Sequence, residues 1–162
     1  MPIALEFRLA EPAELLFRQA SPPLIQDGVP TSLLFRPMPK DHGLLSVDRE
    51  AVIGLAEKSR ERFRARGFQS HSTWAVSVGE VRAQALQAYA DPTKHNDAHA
   101  LIDMSALSDR QMRDISKRLR EAAVARGRLA PQAAPLLARD SATKDVPKPS
   151  RAALSVRRSR SS

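Results

Sequence analysis

The residues best suited to chemistry gather in a few short stretches. The first holds Arg36, Lys40, Asp41 and His42, followed by Arg49. A histidine set between an acid and several cations can work as a general acid or base, or help to bind an anion. Arg36, Lys40 and Arg49 are therefore the anion- or phosphate-binding candidates, and His42 and Asp41 the leading catalytic ones. The competing account is a turn that is charged only because loops are solvated. The second stretch is Ser77-Val78-Gly79-Glu80, at the expected end of a strand and start of a helix. Free N–H groups at a helix start attract anions. With one glycine and an acid at the fourth position, however, the pattern matches a helix-capping box better than a phosphate loop. The third is His95 and His99, four residues apart, with Asp103. Two histidines at that spacing share a metal when they lie on one helix face. Pro92 before them and a strand after them argue against that geometry, so no metal and no cofactor are assigned. Glu80 and His99 stay on the list of weak catalytic candidates. No nucleophile elbow or Ser-His-Asp order is recognisable in the chain order.

A fourth feature is the basic material. Lys58, Arg60, Arg62, Arg64 and Arg66 fall on one expected helix, and Arg157, Arg158 and Arg160 close the chain. Phosphate contact by such side chains is physically reasonable. No aromatic interleaving or known nucleic-acid-binding pattern accompanies them. The net charge of +8 is unevenly spread: residues 131–162 carry seven bases against two acids, +5, and residues 1–130 carry 19 bases against 16 acids, +3. The high isoelectric point is thus mostly a property of the tail.

Composition narrows the classes further. There are no cysteines, which excludes disulfides, thiolate catalysis and sulfur-ligated zinc. Aromatics make up only 4% of 162 residues, so the core must come from Leu, Val, Ile, Ala and Met. No stretch approaches the roughly 18 uninterrupted apolar residues of a membrane helix. Glu6, Arg8 and Glu11 occupy the place of a signal peptide's apolar run. The expectation is a cytoplasmic protein with no membrane association.

These groups must be positioned by a small set of elements. Residues 73–107 are the expected organising stretch, reading strand, helix, strand and holding the only tryptophan and tyrosine, Trp74 and Tyr89. Leu33-Leu34-Phe35-Arg36, stopped by Pro37 and Pro39, reads as a first strand. A helix is expected over 49–66, capped by Asp48 and ended by Gly67. Ser77 and Glu80 start a second helix, with Val81, Ala85, Ala88 and Tyr89 on its face. Residues 100–104 form a third strand. Ser108 and Gln111 open a last helix with Met112, Ile115, Leu119, Ala122 and Ala123 as its stripe and Gly127 as its cap. The tetrad Leu-x-Phe-Arg occurs at residues 5, 15 and 33, without the fixed period of a repeat protein.

The expected fold is therefore α/β: a small two- or three-layer domain running β-α-β-α-β-α over residues 33–127. Right-handed crossovers would make its strands parallel. Residues 3–9 or 44–47 could add a strand. The alternative is α+β with a hairpin at 33–47 around the Lys40–Gly43 turn. Residues 1–30 read as a partly helical or loose arm, 31–130 as the domain, and 131–162 as a disordered basic tail.

Function is less legible. The leading reading is a small binding or interaction module with a protein partner. Its alternatives are an enzyme acting on a nucleotide or phosphate-bearing substrate, whose candidate groups must then share a cleft, and nonspecific nucleic-acid binding through the helix face and tail. The last requires residues 58–66 to be contiguous with Arg110, Arg113 and Arg120. The sequence does not decide whether the protein is an enzyme.

Overall fold

The computed structural model describes residues 3–129. In chain order the elements are β1 (Leu15–Ala20), a small hairpin of β2 (Ile25–Gln26) and β3 (Val29–Pro30), β4 (Leu44–Arg49), α1 (Glu50–Ile53), α2 (Ala56–Ala65), β5 (Ser72–Ser77), α3 (Val78–Ala83), β6 (Gln87–Ala90), β7 (His99–Asp103) and α4 (Asp109–Arg126). The five longer strands form one sheet in the order β5-β1-β4-β7-β6, and every hydrogen-bonded pair in it is antiparallel.

The α/β class is present, and the direction of the strands explains how. Strands β4, β5 and β6, joined through α1, α2 and α3, all run the same way, as helical crossovers favour. Strands β1 and β7 run the opposite way and lie between them. The β4–β5 crossover spans β1 and the β5–β6 crossover spans β1, β4 and β7, so no two parallel strands touch. The stretch 1–30, expected to be an arm, supplies one of those interleaved strands. β1 is paired along its whole length to β5, from Leu15–Ser77 to Ala20–Ser72. Leu16 and Ala20 point to one face and Phe17 and Gln19 to the other, all buried. A central strand buried on both faces lacks clean polar alternation.

The sheet is covered on both faces. One face, with Leu16, Trp74, Val76, Leu45, Val47 and Ile102, packs against Val78 and Val81 of α3 and Ile115, Leu119 and Ala123 of α4. The other face, with Phe17 and Ala75, packs against Ile53 and Ala56 of α1 and α2. Under α2 the second face is polar. Asp48 Oδ2 accepts from Ser59 Oγ at 2.6 Å, and its Oδ1 accepts from Asn96 Nδ2 at 2.7 Å. Gln19 donates to Ser59 and accepts from Thr73. A buried carboxylate is tolerated here because both oxygens are bonded.

Several local expectations are corrected. Residues 33–35 belong to a 3-10 turn, Ser32–Phe35, instead of a strand or hairpin. Leu34 and Phe35 are fully buried beside α4, where Ser116 Oγ donates to the Phe35 carbonyl at 3.0 Å. Prolines 37 and 39 withhold the N–H groups that a ladder needs. The helix expected over 49–66 is two, because Gly54 at φ 83° breaks it. Asp48 is not its cap but part of β4 and the polar network. The helix from Val78 stops at Ala83, Ala85 turns at φ 58°, and Ala88 and Tyr89 enter β6 instead. The stretch 21–30 folds into the β2–β3 hairpin around Asp27 and Gly28, both at positive φ. The tail expected over 131–162, with Arg157, Arg158 and Arg160, lies outside the described residues.

Candidate functional site

The site arises where the sheet opens. Strands β1 and β4 pair only at Leu16–Arg49 and Phe17–Asp48. Beyond those rungs they part, while β4 stays paired to β7 down to Leu44–Asp103. Strand backbone at such a fork has carbonyls with no partner strand, and buried carbonyls must be bonded. The Arg18 side chain bonds one of them and ties it to the neighbouring turn: its Nη1 donates to the Ser46 carbonyl of β4 at 3.0 Å and its Nε to the Leu34 carbonyl of the 3-10 turn at 2.9 Å. Burial pushes the Arg18 guanidinium down from its ordinary value, and Asp41 and Asp48 work against that shift.

A cleft of about 360 Å³ lies in the fork, walled by Arg18, Lys40, Asp41, Ser46, Asp48 and His99 on the sheet side and by Phe63 of α2 and Arg66 and Phe68 just after it. The two phenyl rings stack with centroids 5.0 Å apart. The Arg66 guanidinium lies over both, 5.7 Å from one centroid and 5.6 Å from the other, a cation–π arrangement. Phe68 is half exposed. A second cleft of about 690 Å³ adjoins the first, with Arg18, Leu24 and Met38 lining both. Its wall is Leu33, Arg36, Pro37, His42 and Met112. A separate groove of about 540 Å³ between the hairpin and α4 holds none of the candidate catalytic or anion-binding residues.

The strand register places three polar side chains in a row across the floor of the sheet. His99 pairs with Asp48 and is the diagonal neighbour of Ser46, which pairs with Leu101. Asp91, one residue past β6, donates its N–H to the His99 carbonyl. His99 Nδ1 lies 3.0 Å from Asp91 Oδ2 and 2.9 Å from the Asp91 carbonyl oxygen. Both are acceptors, so Nδ1 carries a proton. In the neutral ring Nε2 is then an acceptor, and it lies 3.1 Å from Ser46 Oγ.

Of the residues singled out from sequence, the structure brings Lys40, Asp41, His99 and Arg66 to the fork cleft and Arg36 and His42 to its neighbour. Two candidates are corrected. Arg49 is no free anion-binding group: its Nε and Nη2 donate to both oxygens of the buried Glu14 carboxylate at 3.0 and 3.1 Å. Glu80 lies apart from the cleft. It completes the capping box with Ser77 and binds Arg126 at 2.7 and 2.9 Å. Burial opposes the Glu80 charge, but Arg126 and the Ser77 N–H together hold its carboxyl below the usual range. His95 is exposed on the loop, and no cluster able to hold a metal occurs among the described residues. Two of the basic side chains of the helix are engaged by neighbouring groups. Arg60 is turned to the Ser70 carbonyl and Arg62 to Asp97 and Asn96. Lys58 and Arg64 are exposed. The α2 helix covers the opposite sheet face from α4, which separates it from Arg113 and Arg120; Arg120 itself donates to the Pro30 carbonyl.

Sequence reasoning missed Arg18, Ser46, Asp91, Phe63 and Phe68. Ser46 is the polar residue in the apolar run Leu44–Val47, the one signal that a side chain there faces away from the core. Asp91 read only as a helix stop. No helix among the described residues is long and apolar enough to cross a membrane. Compared with protein-family models, with curated proteins and with solved structures, the chain matches none of them.

Proposed function

We propose that this chain is a ligand-binding domain whose site is the fork cleft and whose ligand is of nucleotide class: a planar ring joined to a phosphate. The observation that carries the reading is the joint placement of the Phe63–Arg66–Phe68 stack and the Lys40 ammonium in the wall of one cleft. Stacking on an aromatic or guanidinium face is worth about 1–3 kcal/mol per base and tolerates any base. Lys40 and Arg66 supply the charge for the phosphate. Asp41 and Asp48 line the same cleft and subtract from that charge, which leaves the three cations Arg18, Lys40 and Arg66 in excess of the two carboxylates. The volumes of the two adjoining clefts fall in the range of small-ligand sites. A cytoplasmic setting is part of this reading.

A protein partner is the second reading. It is favoured by Leu33 and Met38, more than half exposed on the rim of the larger cleft, which suits an apolar side chain of a bound segment.

The test is anisotropy of a dye-labelled nucleoside monophosphate titrated with the full chain at two salt concentrations, with competition by the unlabelled nucleotide, the nucleoside and inorganic phosphate. The reading expects the nucleotide to compete better than either half. It expects Lys40→Glu or Arg66→Glu to weaken binding by about tenfold, the equivalent of about 1.4 kcal/mol. Equal, weak competition by all three compounds would reject the reading.

A further inference from the structure

We propose that Ser46 is a nucleophile, with His99 as its general base and Asp91 as the residue that positions the imidazole, and that it acts on a phosphodiester held in the fork cleft. The substrate class rests on the nucleotide-ligand reading above; the nucleophile does not. Four observations support it. The row Asp91–His99–Ser46 has the connectivity of an orienting acid, a base and a hydroxyl, with separations of 3.0 and 3.1 Å, within the reach that proton transfer requires. The two acceptors on Nδ1 select the tautomer whose free lone pair, on Nε2, faces the hydroxyl. Ser46 is exposed and lines a cleft, so an electrophile can reach Oγ. Two strands and the residue after a third fix the row: Ser46 on β4, His99 on β7 and Asp91 one residue past β6, tied by the ladder and by the Asp91 N–H. Sites built on strands hold their geometry better than sites on loops.

The chemistry closes on itself. Ser46 Oγ forms a bond to phosphorus while its proton passes to His99 Nε2. The bond from phosphorus to the leaving oxygen breaks, and that oxygen takes the proton from His99 as the alcohol departs. Water then attacks phosphorus, giving its proton to His99. The Oγ–phosphorus bond breaks and Oγ recovers the proton. The sum is a phosphodiester and water going to a phosphomonoester and an alcohol, with no oxidant, reductant or second substrate. Arg18, Lys40 and Arg66 share the cleft wall and favour the charge that builds on the phosphoryl oxygens.

The experiment uses the full chain and a fluorophosphonate probe, a phosphorus electrophile that needs no knowledge of the natural ligand, read by intact mass and peptide mapping. The expected result is one adduct per chain, on Ser46. Ser46→Ala abolishes it, and His99→Gln slows it by at least about 10²-fold, the usual contribution of a positioned base. Asp91→Asn slows it by roughly tenfold, less than the loss of the base, because the Asp91 carbonyl still holds Nδ1, and Asp91→Glu restores part of the rate. Melting curves of all four variants stay close to that of the parent, which separates positioning from folding. The proposal is overturned by no adduct, by an adduct on another residue, or by a rate that His99→Gln leaves unchanged. If the parent binds nucleotide but Ser46 is inert, the ligand reading stands and the nucleophile is rejected. If Ser46 is labelled through His99 but nucleotide does not bind, the nucleophile stands and the ligand class is wrong.

Discussion

Replacing Arg18 by methionine removes both guanidinium hydrogen bonds at the sheet fork and keeps most of the side chain's apolar length. The bond to the Leu34 carbonyl is partly buried and the bond to the Ser46 carbonyl faces solvent. A charge-assisted hydrogen bond is worth about 1.5–3 kcal/mol where water cannot replace it, and a carbonyl left unpaired costs about as much. At the solvent-facing bond water takes over, so its loss adds at most about 1 kcal/mol. The cost of burying the guanidinium, visible in its lowered pKa, is relieved by the substitution and offsets part of the loss. The net expectation for Arg18→Met is destabilisation of about 1.5–3 kcal/mol, read as a lowered urea midpoint with an unchanged slope. Arg18→Lys has one donor centre where arginine bonds through two, and falls between. A change below about 0.5 kcal/mol for Arg18→Met, the scatter of ordinary surface substitutions, would refute the reasoning, because the fork would then be held by the backbone alone.

Other substitutions test the frame around the cleft. Gly43 has φ 82°, and a Cβ there would meet the Ser105 Cα at 2.6 Å, whereas Gly28, at φ 81°, has open space. Gly28→Ala should cost about 1–2 kcal/mol for the left-handed backbone, and Gly43→Ala at least about 1 kcal/mol more, since backbone must move; urea unfolding of both decides. Phe35 is fully buried between the sheet and α4, so Phe35→Ala is expected to cost about 3–5 kcal/mol in the same assay. Because the Glu80 carboxyl is held below the usual range by Arg126 and Ser77, its stabilisation is present above the unfolded carboxylate pKa. It is lost as pH falls through the lower folded value. Glu80→Gln should therefore be less stable than the parent at neutral pH, with the gap closing in acid, measured by thermal melts across a pH series.

What could be read from the sequence was local. The capping boxes Ser77–Glu80 and Ser108–Gln111 form as expected, with both reciprocal bonds in each. Strand β7 and helix α4 lie where pattern and caps place them. The failures share a cause. The three copies of the tetrad Leu-x-Phe-Arg take two courses: a 3-10 turn at Leu5–Phe7 and again at Ser32–Phe35, and a central strand from Leu15. The shared Leu, Phe and Arg side chains thus follow tertiary context rather than propensity. Interleaving of β1 and β7 is equally invisible to alternation, which reads the order of elements and not which strand slips between two others. The site suffers most. Ser46, Asp91 and His99 are 45 and 8 residues apart in sequence, and only the β4–β7–β6 register brings them into line. Lys40 and Asp41 were visible as a charged turn, but what they face depends on the fork. Arg49 and Glu80 looked available because sequence does not reveal the partners, Glu14 and Arg126, that occupy them.

The most direct measurement is a ¹H–¹⁵N map of the full chain titrated in turn with each common nucleoside monophosphate. The account expects saturable shifts concentrated on the amides of Ser46, His99, Lys40, Asp41 and the segment 63–68, with α4 and the β2–β3 hairpin unmoved. Shifts confined to α4 or to the hairpin, or none at millimolar nucleotide, would contradict it and remove the fork cleft as a nucleotide site.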